Sequence, residues 1–151
     1  MPQSYAQILL HLVFATKGRE PFLADPAIRR ELYRYLCGIG RRMRCPLLAA
    51  GGTADHVHAL AGLCRTVTVA DLLEELKGGS SKWIKEKGAA LWTFRWQTGY
   101  AAFSVSRSQA DAVRRYIDSQ EEHHRQVTFE AEFVELLRLH QVPYDERTLW
   151  D

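Results

Sequence analysis

The stretch that decides the fold runs from Pro46 to Leu63 and reads Pro46-Leu47-Leu48-Ala49-Ala50-Gly51-Gly52-Thr53-Ala54-Asp55-His56-Val57-His58-Ala59-Leu60-Ala61-Gly62-Leu63. Two apolar runs, 46–50 and 56–63, flank a short turn over 51–54, which predicts a β-hairpin. Side chains alternate along a strand, so His56 and His58 point to the same face. Two neighbouring imidazoles suit a divalent metal ion, and a solvated strand face is the simpler alternative.

The elements before the hairpin are a strand and a helix. Nearly continuous apolar residues over Tyr5–Thr16 predict a strand that is buried on both faces. His11 interrupts this run, either as a core histidine or as one directed toward a site. Asp25 followed by Pro26 predicts the start of a helix, with Asp25 as its N-cap.

The elements after the hairpin are two or more helices around a fourth strand. Thr68 predicts a helix start, and Gly78-Gly79 within its pattern predicts a break or a close approach of a neighbour. The remaining elements are a strand over Ala101–Ser106, a helix from a capping box at Ser106 and Gln109 to about Arg125, and a helix capped by Thr128.

This order of elements predicts an α+β fold. The hairpin and the mixed connections favour a ferredoxin-like architecture, in which helices cover a mostly antiparallel sheet of four to five strands. At 151 residues, the chain is most simply one domain over residues 1–151.

Composition places the chain among cytoplasmic globular proteins. It is 46% hydrophobic and 25% charged, with a formal net charge of +2, which neither demands nor excludes nucleic acid. Its three cysteines suggest no disulfide framework, and a reduced compartment fits. The start, Met1 to Ser4, lacks the basic region of a signal peptide, and no apolar run is long enough to span a membrane.

A second group of polar residues falls on the predicted helix that ends near Arg125. Its stripe begins with Val113, Tyr116 and Ile117, as a core-facing stripe should, and continues with Gln120 and His124. A buried Gln needs a hydrogen-bond partner, so we expect Tyr116 and Gln120 to project together into a polar pocket. The alternative is a core tyrosine followed by a solvated helix end.

In their order and spacing, these pieces resemble the single-tyrosine HUH transposases of the insertion-sequence 200/605 group. The matching segments are Met1–Ser4 with His11–Lys17, Gly51–His58, Lys77–Lys82, Trp96–Ser106, Tyr116–His124, Thr128-Phe129 with Glu132-Phe133, and Trp150. His-x-His alone is a weak signal, whereas the ordered set over nearly the whole chain is specific.

The resemblance implies a function and a site. It makes His56 and His58 metal ligands, Gln120 the third protein ligand and Tyr116 the nucleophile. The ion would be Mg²⁺ or Mn²⁺. The reaction would cleave and rejoin single-stranded DNA at hairpin-bearing element ends, through a 5′-phosphotyrosine intermediate. It also implies a homodimer, in which the tyrosine acts within its own chain or across the dimer, in a bacterial or archaeal cytoplasm.

Elementary chemistry agrees with these roles. A free tyrosine is a weak nucleophile at neutral pH because its pKa is about 10. Two imidazoles and an amide oxygen form a neutral ligand set, which leaves the full charge of the cation to act on a phosphate. Asp55 either orients a histidine from behind or simply forms the turn. For His124 we favour a structural role over a phosphate contact.

Basic residues on two helices are the candidates for contacts with the DNA backbone. A solvated helix face and a plain helix joint are the alternatives. The predicted residues are Arg29, Arg30, Arg34, Arg41, Arg42, Lys77, Ser80, Ser81 and Lys82.

Three further functions stay open at this point. One is a host-adopted relative that processes repeated genomic hairpins. Another is a non-catalytic module that binds single-stranded nucleic acid, with vestigial histidines. The last is a metal-dependent hydrolase whose nucleophile is water, in which Tyr116 would be dispensable.

Overall fold

A computed structural model describes residues 3–150. Met1, Pro2 and Asp151, which belong to the predicted N-terminal motif and to the predicted ends of the domain, lie outside the described residues. The strands are β1 (Leu9–Ala15), β2 (Leu47–Gly52), β3 (His56–Gly62) and β4 (Ala101–Val105), and the α-helices are α1 (Pro26–Arg42), α2 (Val69–Lys85), α3 (Ala110–Asp118), α4 (Gln120–His123) and α5 (Phe129–Leu139).

The four strands form one antiparallel sheet in the order β2-β3-β1-β4. Together with the order strand, helix, two strands, helix, strand, this is the predicted ferredoxin-like α+β arrangement. The predicted hairpin is confirmed as β2 and β3. Among the helices of residues 3–150, none combines the length and apolar character that a bilayer crossing requires.

Alternation along the strands separates the main core from the histidines. Val57 of β3 and Leu12 of β1 pack with α1 and α2 into the main core. The intervening residues point to the opposite face, where α3 and α5 cover the sheet. In the register of β1 and β3, His58 pairs with Val13 and His56 with Ala15.

Three helix starts follow their predicted caps. The Asp25 side chain accepts from the Ala27 amide, Thr68 from the Asp71 amide, and Thr128 from the Ala131 amide. Each cap satisfies an amide that has no partner within its own helix.

Several predicted boundaries are wrong. β1 begins at Leu9 rather than Tyr5 because its neighbours end there, at Gly62 of β3 and Val105 of β4. Gly51 and Gly52, predicted as turn residues, pair with β3 and end β2.

The long helix predicted to reach Arg125 is interrupted. A 3₁₀ turn precedes α3, and Ser106 makes no capping bond with its side chain, so the predicted capping box is wrong. Ser119 separates α3 from α4, and its hydroxyl donates to the carbonyl of Tyr116 at 3.1 Å. Such local side-chain bonds compete with regular helix hydrogen bonding.

The break predicted at Gly78-Gly79 is absent, because α2 runs through both residues. The alternative prediction for this pair, a close approach of a neighbouring element, is confirmed at Gly79. A Cβ there would lie 2.9 Å from Cδ1 of Ile39, so the glycine allows α1 and α2 to pack closely.

Candidate active site

The sheet face away from the main core carries a buried polar cluster. β3 supplies His56 and His58, both fully buried, and Gln120 of α4 is 1% exposed. Tyr116 of α3 is half-buried beside them, with its ring centroid 5.7 Å from that of His58. The structure therefore brings the four residues of the predicted metal and nucleophile site together within one chain.

Glu132 of α5 lies at the centre of this cluster and is 4% exposed. One carboxylate oxygen, Oε1, lies 2.9 Å from Nε2 of His58 and 3.1 Å from Nε2 of His124. The other oxygen, Oε2, accepts from Nε2 of Gln120 at 2.8 Å and from the Tyr116 hydroxyl. Nε2 of His123 lies 3.3 Å from the same Oε2, so five side chains converge on one carboxylate.

These contacts set the charge states. Burial favours the neutral acid, but hydrogen bonds led by those from His124 and His58 outweigh it and hold the pKa of Glu132 well below its usual range. Burial, followed by the hydrogen bond and charge of Glu132, raises the pKa of Tyr116 above its usual range. The phenol is therefore protonated in this arrangement, and the carboxylate is ionised.

His58 and His11 form a chain of neutral imidazoles. Nε2 of His11 lies 2.7 Å from Nδ1 of His58, so the strand β1 histidine faces the site. Burial lowers the pKa of His58 to about 4, against the opposing effect of Glu132. Burial, and then His58, lower the pKa of His11 to about 3. Neutral imidazole is the form that binds metal.

His56 is oriented from behind by Asp55. Nδ1 of His56 lies 2.8 Å from Oδ1 of Asp55, which also accepts from the Thr53 hydroxyl. Although burial acts the other way, the bond with His56 lowers the pKa of Asp55. An ionised carboxylate only accepts, so Nδ1 of His56 carries a proton, and Nε2 of the same ring faces the cluster.

The contact between His56 and Gln120 joins a ring nitrogen to an amide oxygen, so Gln120 supplies no hydrogen to it. The Gln120 amide nitrogen donates to Glu132, so its oxygen Oε1 faces Nε2 of His56 at 2.9 Å. Two acceptors this close require a cation between or beside them, either a proton or a metal ion. The donor atoms thus fit a divalent cation, and the imidazole nitrogens of His56, His58 and His124 and a carboxylate oxygen of Glu132 all lie within 4.8 Å of one another.

Comparison with known proteins identifies the family of this chain. A family model described as transposase, IS200 like, matches residues 4–120. The chain belongs to the IS200-like transposase family. No curated protein matched the sequence.

Two solved structures are similar to this IS200-like transposase chain. A provisionally assigned transposase from Deinococcus radiodurans R1 has 25% sequence identity and a TM-score of 0.61, and the match covers 78% of this chain and 93% of that one. A REP-associated tyrosine transposase bound to a REP hairpin has 14% identity and a TM-score of 0.61, with 95% and 90% covered. The second similarity concerns the fold alone.

The predicted DNA-contacting residues are spread over α1 and α2, which pack on the sheet face opposite the histidines. Arg29 is buried and donates to the carbonyl of Leu23 and to Glu121. Ser80 is also buried, and its hydroxyl accepts from Nε1 of Trp96. Neither side chain is placed to reach a phosphate in this structure.

Lys77 has a structural role as well, because its ammonium donates to the carbonyls of Gln97, Thr98 and Gly99 at 2.6–3.0 Å. Ser81 is half-buried. The remaining predicted residues are exposed, namely Arg30, Arg34, Arg41, Arg42 and Lys82.

Glu132 is the functional candidate that sequence reasoning missed, although it lies in one of the segments that carry the family resemblance. It falls three residues after Phe129 and four before Leu136, within the apolar stripe of α5. An acid on such a stripe is the same signal that identified Gln120. Glu132 and His124 both lie beyond the residues that the family model matches.

Proposed function

We propose that this IS200-like transposase cleaves and rejoins single-stranded DNA through a covalent bond between Tyr116 and a 5′-phosphate. One observation carries the proposal. A tyrosine hydroxyl, two histidine rings and a glutamine oxygen meet in one buried cluster whose acceptor atoms call for a cation.

The chemistry assigns a role to each residue. The Tyr116 oxygen gives up its proton and forms a bond to phosphorus as the bond from phosphorus to the 3′ oxygen breaks. The 3′ oxygen leaves with the electron pair and takes up a proton, so one proton is released and one is consumed. Attack by the 3′-hydroxyl of another end reverses these bonds and frees the tyrosine. Because the step exchanges one phosphodiester for another, the bond energy is kept for rejoining.

His56, His58 and Gln120 would hold Mg²⁺ or Mn²⁺. When bound, the ion polarises the phosphate and neutralises the charge that develops during displacement. Asp55 keeps the lone pair of His56 directed into the site. Because Tyr116 shares the surroundings of these ligands, its phenol would lie beside a phosphate bound to the ion.

The substrate we favour is single-stranded DNA that carries a hairpin. A REP-associated tyrosine transposase bound to a REP hairpin has a similar fold, which supports this choice. Exposed Arg30, Arg34, Arg41, Arg42 and Lys82 are the candidates for phosphate contacts, with Ser81 beside them. Hairpins from element ends and repeated genomic hairpins are the two sources, and palindromes flanking the gene distinguish a mobile element from a host-adopted relative.

The test is incubation of the protein with hairpin-bearing single-stranded oligonucleotides and Mg²⁺ or Mn²⁺. We expect an adduct that survives denaturing electrophoresis, and we expect Tyr116→Phe and His56→Ala to abolish it. Cleavage that persists in Tyr116→Phe without an adduct would instead favour a hydrolase with a water nucleophile. Binding without cleavage in the wild type would favour a non-catalytic module.

A further inference from the structure

The Glu132 carboxylate brings a negative charge into a site whose other predicted ligands are neutral. A buried carboxylate is costly unless it is paired or binds a metal. Its oxygen Oε2 accepts from Tyr116 and Gln120, whereas Oε1 lies 2.9, 3.1 and 3.8 Å from the Nε2 atoms of His58, His124 and His56. Oε1 is therefore the carboxylate oxygen that faces the imidazoles.

The spacing of the acceptor atoms fits one coordination shell. Oε1 of Glu132 lies 2.9 Å from Nε2 of His58 and 3.8 Å from Nε2 of His56. Oε1 of Gln120 lies 2.9 Å from Nε2 of His56. Neighbouring ligand atoms around Mg²⁺, at about 2.1 Å from the ion, lie about 3 Å apart in octahedral geometry.

We infer that Glu132 is a direct ligand of the metal ion through Oε1, which makes the protein shell two imidazoles, one amide oxygen and one carboxylate. The inference rests on the proposed function, because it concerns the same site. A carboxylate ligand lowers the net charge of the occupied site by one and strengthens binding of a divalent cation. It also ties α5, which carries Glu132, to β3, which carries both histidines.

His124 is the alternative fourth ligand. Its Nε2 lies 3.1 Å from the same Glu132 oxygen, and its Nδ1 lies 2.7 Å from the carbonyl of Val127. A proton on Nδ1 leaves Nε2 free to bind a metal. Its side chain is 9% exposed, at the edge of the cluster, whereas that of Glu132 is 2% exposed at the centre, so we assign the ligand role to Glu132.

The test measures Mn²⁺ binding by calorimetry on the metal-stripped full chain. We expect Glu132→Gln, which removes the charge and keeps the shape, to weaken Mn²⁺ binding at least about tenfold. Glu130→Gln is the matched control because it makes the same change in the same helical turn, where Glu130 pairs with Arg19. We expect that control to stay within about twofold of the wild type, and His124→Asn to lose less affinity than Glu132→Gln because it removes a partner of the carboxylate and not the ligand itself.

Wild-type affinity in Glu132→Gln, or a tenfold loss in His124→Asn alone, would overturn the inference. If Glu132→Gln does not fold, wild-type crystals soaked in Mn²⁺ decide the matter. We expect anomalous density about 2.2 Å from a Glu132 oxygen, and an ion that both oxygens fail to contact would overturn the inference. Adduct formation is a separate readout, so the absence of an adduct beside weakened Mn²⁺ binding rejects the proposed function and not the ligand.

Discussion

Each proposed histidine ligand has one ring nitrogen fixed by a neighbouring side chain. His56 is held by Asp55 and His58 by His11, in both cases through Nδ1. The two Nε2 atoms are then left to face the interior of the cluster. These contacts set the orientation of both rings before any ion binds, and the Asp55 carboxylate also places a proton on Nδ1 of His56, which reduces the cost of assembling the shell.

At the residue scale, Asp55→Ala tests this orienting role. We expect the affinity for Mn²⁺ to fall by about 10–100-fold, as is typical when a partner behind a metal-binding histidine is lost. Calorimetric titration measures the effect, and circular dichroism checks the fold. Asp118→Ala, an exposed change at the end of α3, is the control. Unchanged affinity in Asp55→Ala would assign Asp55 to the turn alone.

Sequence reasoning found some site residues and missed Glu132 for a physical reason. Tyr116 and Gln120 stood out because polar groups occupied an apolar stripe. Glu132 occupies an equally apolar stripe, but it also lies in the first turn of α5, where an acid is favoured by the helix dipole. The helix dipole by itself explains an acid at this position, so nothing in the sequence assigns Glu132 to the site. The place of Glu132 in the site depends on how α5 packs against β3.

At the scale of elements, the position of Tyr116 depends on a close contact between α3 and β2. A Cβ added at Gly51 would lie 2.4 Å from the backbone carbonyl oxygen of Ile117, the residue after Tyr116. Both sides of this contact are backbone, so no flexible side chain can move away to relieve it. The glycine therefore sets how closely the tyrosine helix approaches the sheet.

We expect Gly51→Ala to lower the free energy of unfolding by about 1–3 kcal/mol because it overpacks this contact. Gly62→Ala in the neighbouring strand is the control, since its Cβ would meet Pro46 at 3.5 Å, an ordinary contact. Urea denaturation of both variants measures the difference. Equal stability of the two variants would contradict the close packing of α3 on β2.

The continuity of α2 gives a second prediction at this scale. Gly78 has open space around its Cα, so Gly78→Ala should stabilise the protein by about 0.5–1 kcal/mol through helix propensity. Gly79→Ala should gain less, because its Cβ would press on Ile39. Urea denaturation midpoints compare the two, and no gain from Gly78→Ala would indicate that the helix is broken there.

The helices were predictable where local chemistry sets them. Asp25, Thr68 and Thr128 each cap a helix with their own side chain, and such bonds depend only on nearby residues. The end of β1 and the interruption at Ser119 depend on strand partners and on a local hydroxyl bond instead. A single sequence does not specify which of those longer-range contacts form.

At the scale of the whole molecule, the two faces of the sheet have different roles. One face packs with α1 and α2 into the main core, and the other carries the polar cluster under α3, α4 and α5. Tyr116 and the histidine pair meet within one chain. We therefore propose that Tyr116 acts within its own chain, even if the protein forms the homodimer that its resemblance implies.

A mixing experiment tests this assignment. Tyr116→Phe chains lack the nucleophile, and His58→Ala chains lack a metal ligand. If each site is built within one chain, a mixture of the two should form no adduct, at any ratio, after joint unfolding and refolding. Recovery of an appreciable adduct in the mixture would show that Tyr116 serves the histidines of a partner.

The central claim is that Tyr116 forms the bond to DNA. The most direct measurement is mass spectrometry of the trypsin-digested adduct formed by the wild-type protein on a hairpin-bearing single strand. Cleavage after Arg115 and Arg125 isolates residues 116–125, which contain a single tyrosine. We predict that this peptide carries the 5′-phosphorylated nucleotides on Tyr116. Attachment to another residue, or cleaved DNA with no modified peptide, would contradict the account.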